Sequence, residues 1–190
     1  MTKRLIVGLS GASGAIYGIR ALQMLQKLGV ETHLILSPAA KATIAQETDW
    51  KVSDVEALAA VRHDHRDVGA SVASGSFVSQ GMLIAPCSIK TLSAVANSYS
   101  ADLMARAADV CLKEGRPLLL MVRETPLHVG HLKLMLAAAE AGAIIFPPAP
   151  AFYGRPQTLD DVVDATVGRA LARLGIDNEA FFRWQGMGES

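Results

Sequence analysis

A doubly wound, mostly parallel α/β sheet of Rossmann-like layout, formed as one domain over residues 1–190, is the architecture that this chain predicts. Two observations lead there. Short apolar runs alternate with segments of helical periodicity, the rhythm of βαβ units whose right-handed crossovers build a parallel sheet. Small and polar residues gather just after the apolar runs, where such a sheet presents its ligand-binding loops.

Leu5 to Leu9 is the first strand-like run, and SGASGA follows it. Gly11 and Gly14 permit a tight turn into a helix marked by Ile16, Ile19, Leu22 and Leu25. Ser10 and Ser13 add hydroxyls beside that helix start, so backbone N–H groups and the positive helix end predict a phosphate cradle without a lysine. The spacing is neither GxGxxG nor a Walker loop, which argues against an ordinary dinucleotide or nucleoside triphosphate site. Thr32 to Leu36, Met82 to Ala85, Leu118 to Val122 and Ala143 to Phe146 read as further strands. Leu132, Met135, Leu136 and Ala139 recur at helical spacing, as do Val162, Val163, Ala165, Val167 and Leu171. Asp49 to Gly81 is the least regular stretch and reads as an excursion from the sheet. Ser53 and Glu56 have capping-box spacing there. His63, Asp64, His65 and Asp67 form either a solvated turn or a metal site without a second ligand cluster.

Composition narrows the partners. Eighteen basic residues balance eighteen acidic ones with no clustered basic arm, so nothing electrostatic points to nucleic acid or an anionic membrane. Hydrophobic residues make up 51% and charged residues 19%, which leaves apolar surface for other subunits. Polar and glycine residues interrupt the N-terminal MTKRLIVGL before it forms a signal-peptide core or a span, and a cytoplasmic location is expected. Two cysteines do not make a disulfide framework: Cys111 reads as packing, and Cys87 as a small strand-tip residue or, alternatively, a nucleophile.

Groups suited to anions fall in several of the strand-end loops. Ser37 precedes a helix beginning near Pro38, and Ser88, Lys90 and Thr91 follow Pro86 and Cys87 at another helix start. Each hydroxyl serves as an ordinary N-cap or as a ligand, and their convergence at one sheet edge would make a single crevice of positive potential. Arg123 and Glu124 end the fourth run, as an ion pair or as a charge clamp with a proton-transfer group. Glu47 ends the helix after Ser37, where the dipole disfavours a carboxylate. Arg106 and Lys113 share a helix face, as surface charges or as site cations. The FFRW stretch from Phe181 to Trp184 covers its own core or contacts another subunit.

Taken together, SGASGA, AQETD, PCSIKTL, RAADVCLKE, RETPLH, PAFYGRPQ and the terminal RWQG closely resemble the UbiX-type flavin prenyltransferases, in order and spacing, over nearly the whole chain. The resemblance implies a flavodoxin-like flavoprotein that joins the dimethylallyl group of dimethylallyl phosphate to N5 and C6 of reduced FMN, without a metal. The product, prenylated FMN, would serve a partner UbiD-type decarboxylase in ubiquinone biosynthesis or aromatic acid breakdown. It further implies that Gly11, Ala12, Ser13, Ser37, Ser88, Ile89, Lys90, Thr91 and Arg123 bind FMN, with Arg106 a further contact. Lys113, Arg123, Glu124, Tyr153 and Arg169 would surround the prenyl phosphate, and Ser13, Glu47 and Glu124 would act at the reacting flavin. A large homo-oligomer, a dodecamer, with sites near interfaces is implied as well. Around Val68 the chain lacks the tryptophan that some members carry. The competing readings are an FMN-dependent cysteine decarboxylase, whose PxMNxxMW segment is missing, and a noncatalytic flavin-binding subunit of an aromatic acid decarboxylase.

Overall fold

The computed structural model describes residues 3–184 and 186, so Gln185 of the RWQG likeness and both chain ends lie outside the described residues. Strands β1 (Arg4–Leu9), β2 (Glu31–Leu36), β3 (Val61–His63), β4 (Met82–Cys87), β5 (Leu118–Val122) and β6 (Ile144–Ile145) form one parallel sheet in the order β3-β2-β1-β4-β5-β6. That is the doubly wound order. The chain winds outward from β1 through β2 to β3, then returns to β4 and winds the other way, so β1 and β4 lie side by side at the reversal. Ligands of such sheets bind beyond the carboxyl ends of the strands at that reversal.

Burial on both faces explains why the strands read as apolar runs. Leu5, Val7 and Leu9 enter one layer, beneath α1 (Ala15–Lys27), α2 (Pro38–Glu47) and α7 (Leu159–Arg173). Ile6, Met82 and Ile84 enter the other, beneath α4 (Ile89–Ala96), α5 (Leu103–Lys113) and α6 (Val129–Glu140). A short helix, α3 (Val52–Ala57), lies in the excursion.

Several local expectations change. The excursion contributes edge strand β3, whose exposed residues gave no apolar signal. His63 Nε2 meets His33 Nδ1 at 2.9 Å across that edge, and the two rings stack. Ser53 and Glu56 do not form a capping box, because α3 starts one residue after Lys51; Ser53 Oγ donates to Asp54, while Glu56 binds Lys41 and Arg62. The four polar residues of the HDHRD turn diverge: His63 joins His33, His65 joins Asp102 at 3.3 Å, and Asp64 and Asp67 accept from the backbone of their own turn. In α6 the helical spacing is borne out, but its apolar residues divide: Met135 packs on the core, while Leu132 and Leu136 are 52% and 59% exposed. Among the described residues, no helix is long and apolar enough to cross a membrane.

Candidate active site

Two loops are knitted together at the sheet's reversal. Ser10, after β1, is buried; its hydroxyl donates to Pro86 O (2.9 Å) and accepts from Ser88 N (2.7 Å). This serine therefore fixes the loop after β4 against the loop after β1, committing its one O–H donor to Pro86 and an acceptor site to Ser88. Gly11 permits the next step: a Cβ there would lie 2.3 Å from that of Ala39, so a side chain would push α2 away from the loop.

A cleft of about 730 Å³ opens beside this junction, within the range of small-molecule sites. Gly11, Ser37, Ser88, Lys90 and Thr91 line it, as does Asp102 at the start of α5. Ser37 caps α2 through Ala40 N (3.1 Å), and Ser88 caps α4 through Thr91 N (3.3 Å). The hydroxyls thus do both things that their positions suggested: each satisfies its own helix end and each faces the cleft. Asp102 caps α5 through Ala105 N (2.9 Å). Burial is the largest influence on its carboxyl and pushes its pKa up, but His65, Ala105 N and Lys90 together hold it below the usual value. His65 and Asp102 enter the cleft wall without any signal in sequence spacing, because their pairing joins the excursion to a helix far along the chain.

The end of α1 is built differently. Gly14, its N-cap, has φ +99, a left-handed conformation that favours glycine. Glu47, at the end of α2, reaches across and accepts from Gly14 N (2.8 Å) and Ala15 N (3.3 Å). In this structure the anion at the α1 terminus is a carboxylate of the chain itself. Glu47's unfavourable place on α2 is explained by its favourable place on α1. Burial, the largest influence, raises the Glu47 pKa, yet Gly14 N, the Ser13 hydroxyl, Ala15 N and the Arg123 charge lower it on balance.

Arg123 follows β5 and lies close enough to Glu47 and Tyr17 for its charge to act on both. Glu124 Oε1 accepts from Thr125 N (3.0 Å). Tyr153 and Arg169 meet at 3.5 Å beside a hollow of about 400 Å³ whose other walls include Phe146, Pro147 and Ala165. Tyr153 also contacts the rings of Phe182 and Trp184, which places the C-terminal aromatics on this hollow.

Other predicted residues lie elsewhere. Arg106 is turned to Ala73 O (3.2 Å) and Asp109 (3.0 Å). Ile89 lines a separate groove with His128 and His131. Lys113 ends α5 near the start of β5, beside Glu114 and Gly75, at the sheet edge opposite Arg123, so one chain does not bring it to Tyr153 and Arg169. Ala12 is buried, and Ser13 stands beside Glu47. Cys87 is packing: burial pushes its thiol up to about 12, which keeps it protonated at neutral pH.

Comparison with known proteins agrees with this architecture. Residues 1–171 match the family model described as Flavoprotein. Flavin prenyltransferase UbiX of Thauera aromatica is 61% identical over 183 residues, covering 96% of this chain and 94% of that protein. The crystal structure of AnUbiX (PadA1) in complex with FMN and dimethylallyl pyrophosphate superposes with a TM-score of 0.96 at 48% identity, covering 98% of this chain and 99% of that one. The dodecameric FMN-dependent UbiX-like decarboxylase from Escherichia coli O157:H7 has a TM-score of 0.93 at 47% identity, covering 96% and 100%. At that identity over nearly its full length, the chain belongs to the UbiX-type flavin prenyltransferases of the Flavoprotein family.

Proposed function

We propose that the chain is a flavin prenyltransferase that joins the dimethylallyl group of dimethylallyl phosphate to N5 and C6 of reduced FMN, giving prenylated FMN. The observation that carries this reading is the cleft at the sheet's reversal, lined by Gly11, Ser37, Ser88, Lys90 and Thr91, in a chain so similar to a protein solved with FMN and dimethylallyl pyrophosphate. The fit to FMN is supported by its volume and by hydroxyls that cap their helices from within it. When bound, the reduced flavin supplies the nucleophilic N5 and C6.

This chain's residues then divide the work. Gly11, Ala12, Ser13 and the Ser37 and Ser88–Thr91 groups hold FMN, with Ser10 fixing the two loops from behind. Arg123, Tyr153 and Arg169 stabilise the charge that develops on the phosphate as the carbon–oxygen bond breaks. Glu47 orients the α1 end beside the reacting flavin. Glu124 Oε1 is held by Thr125 N, and Oε2 relays the proton lost from C6. Lys113 reaches a prenyl phosphate only from a second chain. The exposed strip of Val129, Leu132 and Leu136 supports such assembly, for which we adopt a homo-dodecamer like that of the Escherichia coli O157:H7 relative. Residues 1–190 act as one cytoplasmic flavin-binding unit, and its product passes to a UbiD-type decarboxylase. Mass spectrometry after incubation with FMN, a reductant and dimethylallyl phosphate tests the reading. A flavin heavier by one prenyl group is expected; unchanged flavin overturns it in favour of a binding subunit.

A further inference from the structure

The cleft at the sheet's reversal follows one face of α4. Lys90, Ala94 and Asn97 recur along it at helical spacing, and it reaches from the N-cap Ser88 to the C-cap Asn97, about 13 Å along the helix. Its two ends therefore differ in charge. The Ser88 end has the positive helix terminus and Lys90, whereas the Asn97 end has the negative terminus, and the Asp102 carboxylate joins it in the cleft wall. As the N-cap of α5, Asp102 also neutralises the positive end of that helix.

Three acceptors gather at the Asn97 end. Asn97 donates its amide protons to Ser93, at 2.7 Å to the carbonyl, which leaves its Oδ1. Asp102 Oδ1 accepts from Ala105 N (2.9 Å) and Oδ2 lies 3.3 Å from His65 Nε2, so each oxygen keeps an acceptor site. His65 is fixed against the start of α5, because its carbonyl also accepts from Leu103 N (2.9 Å). Its Nδ1 is buried and has no hydrogen-bond partner among the described residues. With Nε2 donating to Asp102, the neutral ring presents Nδ1 as one more acceptor, and a buried acceptor is costly unless a donor reaches it.

A ligand for such a cleft is an anion that continues into neutral O–H donors. Its phosphate is drawn to the Ser88 end and repelled by Asp102, so the acceptors beyond face the uncharged chain attached to that phosphate. We propose that Asp102, with Asn97 and His65 beside it, accepts hydrogen bonds from the ribityl hydroxyls of FMN and makes the cleft selective for a flavin phosphate linked through a polyol. The inference rests on the reading of the cleft as the FMN site. Burial pushes the Asp102 carboxyl up, but His65, Ala105 N and Lys90 hold it below the usual value, so it meets those hydroxyls as a carboxylate at neutral pH.

Fluorescence titration with two flavins tests this: FMN, and an analogue carrying a phosphopentyl chain at N10 in place of the ribityl phosphate. Ring and phosphate are common to both. Hydrogen bonds to a charged group predict that the unaltered protein binds FMN about ten- to a hundredfold more tightly than the analogue. Asp102→Asn keeps a side chain able to cap α5 and removes the charge. It should lose roughly tenfold in affinity for FMN and leave the analogue's affinity as it was. Equal losses for the two flavins would assign Asp102 to the fold or to the ring N–H groups and overturn the proposal. Equal affinities of the unaltered protein for both flavins would overturn it as well. The prenyl-transfer assay separates the two readings: prenylated flavin formed without the preference for FMN leaves the enzyme and removes this role for Asp102. The preference without prenylated flavin does the reverse, and no binding of FMN at all removes both.

Discussion

The helix ends α1 and α4 emerge from adjacent strands at the same edge of the sheet, and they handle their positive termini in opposite ways. At α4 the cap is local: Ser88 accepts from Thr91 N, and the surrounding hydroxyls face an open cleft. At α1 the cap comes from 33 residues away, as a full negative charge from Glu47 on Gly14 N and Ala15 N. A neutral cap leaves the dipole available to a bound anion, whereas a carboxylate cap consumes it. If the cleft holds FMN as proposed, the glycine-rich loop gives it close backbone approach, and the Ser37 and Ser88 ends are the ones whose positive termini stay open to an anion.

The sharpest way to break this arrangement is at Gly14. An alanine there must adopt φ +99, at a cost of roughly 1–2 kcal/mol for the left-handed conformation, and its Cβ would press on the Tyr17 ring. Gly14→Ala should lower stability by about that amount or more and disturb Glu47 and Tyr17 together. Thermal unfolding, with turnover measured below the transition, checks this. An unchanged melting temperature would mean that the α1 terminus is soft rather than held.

A crossed pair of variants comes next in size. Glu47→Ala and Ser88→Ala each remove a helix cap, so each should cost about 1 kcal/mol of stability. Their effects on FMN should differ. Ser88→Ala removes a cleft hydroxyl and should weaken FMN binding by roughly tenfold. Glu47→Ala should leave FMN affinity nearly intact while slowing transfer. Fluorescence titration of FMN against both proteins decides it; equal losses of affinity would erase the distinction between the two ends.

The comparison also shows where the sequence was readable. Strands β1, β2, β4 and β5 were legible because strands buried on both faces are continuous apolar runs, and the short edge strand β6 because its two isoleucines sit in an apolar run; the loops follow from the topology. β3 was not, since an edge strand of Val61, Arg62 and His63 buries too little to leave a pattern. Ser37 and Ser88 were legible as caps because a cap and its helix are neighbours in sequence. Glu47 was visible only as an oddity at the wrong end of a helix, because its partner is set by the packing of α2 on α1. For the same reason the spacing around Ser10 gave no sign that its hydroxyl ties the loop after β1 to the loop after β4. Tyr17 had no signal at all: a tyrosine in the first turn of a helix is ordinary until the backbone shows that its ring lies over a left-handed glycine.

The smallest expected effect is the dependence of the two ends on acid. The Glu47 pKa lies below its ordinary value of 4.5 in the folded protein, because hydrogen bonds from Gly14, Ser13 and Ala15 together outweigh the upward push of burial. A carboxyl depressed on folding binds fewer protons folded than unfolded in that range, so it adds stability above its unfolded pKa. That stability is lost as pH falls through the folded value. The group is exposed, so solvent keeps the contribution small. Glu47→Gln retains an acceptor for Gly14 N but cannot titrate, and Ser88→Ala leaves the Glu47 carboxyl in place. Denaturant unfolding at pH 7 and at successive steps below pH 5 should therefore show the gap between Glu47→Gln and the unaltered protein closing as acid is added. The gap for Ser88→Ala, whose cap is an uncharged hydroxyl, should stay constant over the same steps. If the Glu47→Gln gap also held constant, the charge of the carboxylate would add nothing to the α1 cap, and an uncharged acceptor would serve that helix end equally well.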